Sequence, residues 1–395
     1  MRLAIVGGKL QGTEACYLAS KAAYQTVLVD RHPVVPAAGL ASEFHIMDVV
    51  GEPERARTLF LGCDAVLPAC EDGETLAWLD HHVRAWGVPL LFDWSAYRIS
   101  SSKLRSNELF DELGVAHPRA WPACGFPLIV KPSGASGSEG VRLAWDELTL
   151  AAARAALEKA GHSVVVEEFS PGVSWSLEVI AWEGRATPLL AAELEFDRFY
   201  DCKRVVAPVS GEDAAGLVMR FDDLGVRLAE GLHLQGLMDI EVVLHGGELK
   251  VLEIDARLPS QTPTAVFHCC GANMVRLLAE TVLGGATPTV DRGVRCACCY
   301  QHVAVADGAV EVLGEHVMAS ARPLRLQPGR YGAFEVLGEL EEDQAAESWS
   351  ATIITRGDSP AQARATAATA VARLAEEHGL AVTPESTAQP GDNCR

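Results

Sequence analysis

Apolar residues follow two rhythms along this chain, and the change between them divides it. At the start, short continuous apolar runs alternate with stretches of helical period. Leu3–Val6 leads through the turn Gly7–Gly12 into a helix ending near Ala22, and Thr26–Val29 runs into Asp30. Ala65–Pro68 is another such run, Thr75–Trp86 reads as a helix, and Leu90–Phe92 as a last strand. Runs of four apolar residues separated by helices predict a parallel, doubly wound sheet over residues 1–95.

Residues 96–172 read as a smaller α+β unit. A helix spans Ser102–Leu113, and a strand Leu128–Lys131 enters the Gly/Ser loop Pro132–Gly140. A helix Asp146–Ala160 and a strand Ser163–Glu167 follow. Beyond residue 173 strands dominate: Ser176–Trp182, Leu189–Phe196, a hairpin formed by Gly236–Leu244 and the run ending at Asp255, and Trp349–Thr355. This third unit, residues 173–386, closes on an Ala-rich amphipathic helix, Ser359–His378. The polar tail 387–395, with Pro and Gly, is expected to be flexible. No internal repeat is present. The fold class is α/β (α+β), with an N-terminal Rossmann-like parallel sheet, a small central lid and a C-terminal antiparallel sheet.

Length and charge narrow the function. With 395 residues the chain can bury a large core in two or three domains. A net charge of -20 argues against nucleic acid or an anionic membrane as partner. The opening Met1-Arg2 runs directly into a strand rather than a leader, and no apolar run reaches membrane-spanning length, so a cytoplasmic protein is expected. The 11 cysteines lack the regular spacing of a disulfide framework. Cys296 and Cys299 form a Cys-x-x-Cys with Cys298 between them, but no second pair completes a zinc site. They read as small core residues.

The hairpin carries the most chemistry. Asp239 and Glu241 lie two apart on one strand, as do Glu253 and Asp255 on its partner, with Arg257 just beyond. Unpaired charge in such apolar strands is costly. Glu241, Glu253 and Asp255 therefore read as an oxygen cage for Mg2+ carrying nucleotide phosphates, and Arg257 as a partner for a transferring phosphoryl group. Lys131, on a strand aimed along the loop containing Ser133 and Ser136, suits phosphate oxygens, although a solvated edge lysine reads the same way. The loop lacks the ending of a P-loop. Val164–Gly172, with Glu167, Glu168 and Phe169, is either an adenine-reading connection or an ordinary strand exit. In the first turn Lys9 stands where a second glycine would admit a pyrophosphate, which disfavours NAD. That leaves a small-molecule site, with Asp30 near it, or a purely structural turn.

Taken in order, Lys103, Lys131 with its Gly/Ser loop, Glu167-Glu168-Phe169, Glu241 and Glu253–Arg257 resemble the ATP-grasp superfamily. Within it, Val6–Gly12, Tyr97–Ser100, Tyr200-Asp201-Cys202, Met238-Asp239 and Glu253–Thr264 resemble the ligases that join 3-methyl-D-ornithine to L-lysine in pyrrolysine biosynthesis. The resemblance implies an ATP-grasp fold and an ATP- and Mg2+-dependent carboxylate–amine ligase working through an acyl phosphate. It implies phosphate contacts from Lys103 and Lys131, an adenine pocket at Glu167 and Phe169, and metal at Glu241, Glu253 and Asp255. Arg257, Lys131 and Asp239 become catalytic. Leu10, Gln11 and Glu71 line the lysine site, Lys9 binds substrate, and Asp30, Asp48 and Val49 lie near the lysine site or near a nucleotide; Asp239, Ser260 and Thr262 recognise methylornithine. A homodimer is expected. Four residues depart from the family pattern: Cys70, Lys203, Arg204, and Val173, which replaces a ribose-binding glutamate. Other ATP-grasp ligases, or a non-catalytic nucleotide binder, are the alternatives.

Overall fold

Three sheets carry the chain, in a computed structural model that describes residues 1–135, 137, 139–211, 213–339 and 348–385. The tail 387–395 lies outside the described residues. The first sheet is parallel, in the order Glu43–Ile46, Gln25–Asp30, Arg2–Val6, Ala65–Pro68. Leu3 is opposite Thr26 on one side and Ala65 on the other. Its strands are apolar because helices cover them: Leu3, Ile5 and Leu28 are fully buried, as is Leu18 on the helix Leu10–Lys21. The expected strand Leu90–Phe92 is reduced to one bridge, Val66 to Leu90. Pro89 contributes only a carbonyl there, and Asp93 already caps the next helix, Trp94–Ser100.

The second sheet has three antiparallel strands, with Leu128–Pro132 between Arg142–Ala144 and Val164–Glu168. The helix Glu147–Lys159 starts in a capping box built by Asp146 and Thr149. Its Leu150, Ala153 and Leu157 pack on Leu128, Val130 and Ala144, a small core separate from the main ones.

The third sheet is antiparallel apart from one short edge pairing. Its main path runs Glu248–Asp255, Gly236–His245, Val173–Trp182, Ala192–Phe196, Cys202–Ala207, Ala297–Ala306, Trp349–Gly357, Glu335–Gly338, Arg325–Pro328. The strand expected over Leu189–Phe196 is shorter, beginning at Ala192, and a separate strand precedes it. Arg185–Pro188 folds back on Val173–Trp182 as a hairpin, and Ala192–Phe196 pairs with an earlier stretch of that strand. Leu189 N gives a last bond to the Glu178 carbonyl at 2.8 Å before the chain steps across at 189–191. The helix Ala214–Gly231 buries Phe221, Leu224 and Leu228 against this sheet, each side chain contributing about 1.5–3 kcal/mol. Cys298 and Cys299 are fully buried in strand Ala297–Ala306, and among the described residues the cysteines form no metal-ligand cluster. No helix among the described residues is long and apolar enough to cross a membrane.

Candidate active site

The hairpin Gly236–His245/Glu248–Asp255 sets Asp239 opposite Asp255 and Glu241 opposite Glu253. Directly opposed residues have Cβ atoms about 5 Å apart, where like charges repel. Burial, then Asp239, Glu253 and Glu315, holds the Glu241 carboxyl well above its usual range. Burial, with Glu71, Glu253 and Asp239 opposing Arg257, pushes Asp255 up to about 7. Burial raises Asp239 to about 6 despite a 2.5 Å bond from Ser176 Oγ. Asp255 Oδ1 is buried with no hydrogen-bond partner. An unpartnered oxygen among repelling carboxylates is what a hard dication relieves, so the donor set fits Mg2+. A bulge after Glu241 leaves Leu252 unpaired, and Leu252 lines the adjoining cavity.

That cavity, about 660 Å³, lies between the three-stranded sheet and the hairpin. Lys103, Lys131, Glu167, Glu168, Phe169, Glu241 and Glu253 all line it. Lys103 Nζ reaches Glu253 Oε1 at 2.8 Å and the Ala135 carbonyl at 2.6 Å, and Lys131 Nζ reaches Glu167 Oε1 at 2.6 Å. Both ammonium groups are thus mostly buried and held at the cavity wall, where phosphate oxygens would meet them. Burial works against the charge of Glu168, but hydrogen bonds from Lys250 and Arg119 outweigh it and hold the carboxyl at about 2. Ser133 is not at the cavity: its hydroxyl accepts from Leu104 N at 3.2 Å and meets Ser102 Oγ, capping the helix Lys103–Leu113. Ser136 lies outside the described residues. Val173 lines this cavity and is 47% exposed, but offers no polar side chain to a ribose.

A second cavity, about 560 Å³, opens against the first sheet. Lys9, Leu10, Gln11, Asp30, Asp48, Val49 and Glu71 all line it, with Arg257 at its far side. The turn beneath needs glycine for packing: a Cβ on Gly12 would sit 2.1 Å from the Gly7 carbonyl oxygen. Asp30 is spent on this turn, accepting from Gly8 N and His32 N at 2.8 Å each. Gln11 Nε2 donates to Glu71 Oε1 at 2.6 Å, and Arg257 Nη2 reaches the same oxygen at 2.5 Å. Arg257 also pairs with Asp255 Oδ2 at 2.7 Å. Burial opposes its charge, yet Asp255 and Glu71 keep the guanidinium above its ordinary value. Cys70 lines the same wall, its thiol pushed up to about 11 by burial.

A third, narrow cavity of about 110 Å³ holds Asp239, Glu241, Glu253, Asp255, Ser260 and Thr262. Its floor is the turn at Gln261, whose φ of 69 and ψ of -61 lie in the left-handed region. Thr262 N donates to the Ser260 carbonyl at 2.8 Å across it, making the rare, strained form of γ-turn. Three acids carried no prior expectation: Glu315, which lines this cavity, and Glu178 and Glu14, which lie behind its walls. Glu178 is fully buried opposite Asp239, with no hydrogen-bond partner for either oxygen. Glu14, on the first helix, accepts from Thr264 N at 2.5 Å. Glu315 accepts from Ser260 Oγ at 2.6 Å and Gln261 Nε2 at 2.9 Å. Glu178 sits in the apolar run Ser176–Trp182, the same signal that marks the hairpin; the other two give no local sign.

The remaining departures are structural. Lys203, fully buried, pairs with Glu385 at 3.1 Å. Arg204 reaches Glu195 and Glu385 at 2.5 Å each and Gln301 at 2.8 Å. These cations fasten the C-terminal segment onto the large sheet and do not line the narrow cavity.

Residues 100–261 match the family model of an ATP-grasp domain. The 3-methyl-D-ornithine–L-lysine ligases of Methanosarcina acetivorans and Methanosarcina barkeri are each 35% identical to this chain over 318 residues, 80% of it and 84% of theirs. Among solved structures, the biotin carboxylase domain of Hydrogenobacter thermophilus 2-oxoglutarate carboxylase, in complex with MgADP, ADP and bicarbonate, matches with a TM-score of 0.70. It is 15% identical, over 90% of this chain and 86% of that one, a likeness of fold.

Proposed function

This chain belongs to the family of 3-methyl-D-ornithine–L-lysine ligases within the ATP-grasp enzymes, and from that premise we propose that it joins the carboxylate of 3-methyl-D-ornithine to the ε-amine of L-lysine. The product is 3-methyl-D-ornithyl-N6-L-lysine, for pyrrolysine biosynthesis. The enzyme is an ATP-dependent carboxylate–amine ligase using Mg2+. One observation carries the reading: the 560 Å³ cavity and the carboxylate-lined narrow cavity share Arg257. An amine held in one therefore faces a carboxylate held in the other across a buried guanidinium.

Bound ATP with Mg2+ supplies the phosphoryl group that makes a carboxylate an acylating agent. Glu241, Glu253 and Asp255 would hold the metal, and Lys103 and Lys131 would neutralise phosphate charge. Asp239, Ser260 and Thr262 take the methylornithine; buried carboxylates suit its ammonium groups. Leu10, Gln11 and Glu71 take the lysine, with Lys9, Asp30, Asp48 and Val49 completing that wall. Arg257 steadies the oxygen that becomes negative when the amine adds. The loop around Gly137 and Glu139, which borders all three cavities between them, excludes water from the reactive acyl group. The same reading makes the enzyme cytoplasmic and homodimeric.

The test is product analysis by mass spectrometry with ATP, Mg2+, L-lysine and either D-ornithine or 3-methyl-D-ornithine. An amide formed only when both amino acids are present, faster with the methylated donor, is expected. ADP formation with another amino-acid pair, and none with this one, would overturn the substrate assignment.

A further inference from the structure

The amine cavity and the narrow cavity meet at a window. Four residues line both: Gly137, Asp201, Arg257 and Glu315. Glu71 borders only the amine side and Asp239 only the carboxylate side. Of the two acids at the window, Asp201 is occupied, accepting from His316 N at 2.9 Å and pairing with the His316 ring. Glu315 is held differently. Its Oε2 takes both bonds, from Ser260 Oγ and Gln261 Nε2. Its Oε1 faces Gly137, whose Cβ position lies 3.8 Å away. One oxygen thus anchors the carboxylate to the strained turn, and the other is turned to the passage the amine must cross.

We propose that Glu315 is the general base of the ligation step, taking a proton from the ε-ammonium of the acceptor as it enters the window. This rests on the ligase reading. The free ammonium has a pKa of about 10.4 and cannot attack until it loses a proton. Once it has, the amine nitrogen adds to the acyl-phosphate carbonyl carbon while Arg257 receives the developing oxyanion. The C–O bond to phosphate then breaks, phosphate leaves with the electron pair, and nitrogen gives up its second proton to that departing phosphate, leaving the amide. Glu315 discharges its proton to the departing phosphate or to solvent. Acid and cation, the two charges this reaction needs, stand on either side of one opening.

The electrostatic surroundings fit a base. Burial raises the Glu315 carboxyl above its ordinary value and Asp201 adds to this, while the bonds from Ser260 and Gln261, and Arg257, pull it down. Glu14, Glu241, Tyr300 and Cys202 also lie within its electrostatic reach, and His316 adjoins it.

The experiment separates the two half-reactions. Hydroxylamine, a nucleophile already unprotonated at neutral pH, traps the acyl phosphate as a hydroxamate without help from a base. Wild type, Glu315→Gln and Glu315→Asp are compared for hydroxamate formation and for ligation to L-lysine across pH 6–9.5. Expected for Glu315→Gln is hydroxamate formation within about threefold of wild type, and ligation kcat down about 10²–10³-fold. Its residual ligation should climb about tenfold per pH unit where wild type has levelled off, and Glu315→Asp should recover part of the loss. Equal loss of hydroxamate and amide would overturn the role, making Glu315 a donor-holding or structural residue. So would ligation in Glu315→Gln within threefold of wild type, or an unchanged pH profile. If wild type forms hydroxamate but no amide with lysine, the acceptor assignment itself fails, and this role with it.

Discussion

Replacing Glu14 by Gln should make the protein more stable above neutral pH, the reverse of most core substitutions. Glu14 is 1% exposed and accepts from the backbone N–H of Thr264, one of the first-turn donors of the helix Thr262–Cys270. Burial raises its carboxyl from 4.5 to about 7, outweighing the bonds from Thr264, and Glu315 adds a smaller push. Below about pH 4.5 both folded and unfolded chains carry the proton, and the group is neutral in its effect. Between about 4.5 and 7 the unfolded chain gives it up while the native chain keeps it, so stability falls as pH rises. Above 7 the full penalty stands. At about 1.4 kcal/mol per pH unit over roughly two and a half units, it amounts to about 3 kcal/mol. Glutamine escapes this penalty: its amide oxygen still accepts from Thr264 N, and its NH₂ stands beside the Thr264 hydroxyl. Urea unfolding followed by tryptophan fluorescence at pH 5 and 8.5 measures the difference. The variant should match wild type within about 1 kcal/mol at pH 5 and exceed it by up to about 3 kcal/mol at pH 8.5. A variant less stable at pH 8.5, or a difference that ignores pH, would refute the reasoning.

Two further predictions concern the chemistry. Glu253→Gln should abolish carboxylate-dependent ADP formation with the fold intact, since it removes a metal oxygen and the partner of Lys103; wild-type turnover at saturating Mg2+ would end the metal assignment. Arg257→Lys should lower kcat about 10–100-fold, because a point charge cannot span Asp255 and Glu71 as the planar guanidinium does. Steady-state turnover within twofold of wild type would remove Arg257 from the oxyanion role.

The sequence alone made the hairpin legible because it breaks a local rule: charges stand at alternate positions in strands otherwise apolar. The parallel N-terminal sheet was legible for the complementary reason, since runs buried on both faces carry no polar residues. What escaped was set by distant packing. Glu315 meets Ser260 and Gln261 across more than 50 residues of chain, and Glu14 meets Thr264 across 250. No window of sequence contains either pair. Ser133 was misplaced for a related reason. A hydroxyl in a Gly/Ser loop looks available to phosphate, but the helix Lys103–Leu113 claims it for an unsatisfied N–H. Leu189–Phe196 looked like one strand because it opens on the apolar run Leu189–Ala192, but residues 189–191 only connect the Arg185–Pro188 hairpin to the strand that begins at Ala192.

The bent backbone at Gln261 bears on how this family could be redirected to other donors. A γ-turn of this hand stays formed only because neighbouring groups outvote it, and here one of them is Glu315, reached through the glutamine side chain. Selectivity and turnover therefore share a hinge pin. Exchanging Thr262 alone edits the wall of the donor cavity, whereas any change at Gln261 also re-aims a carboxylate at the window. Libraries for new donors that vary Thr262 and spare Gln261 should yield altered specificity at preserved rate. Those that vary Gln261 should lose rate before they gain a substrate.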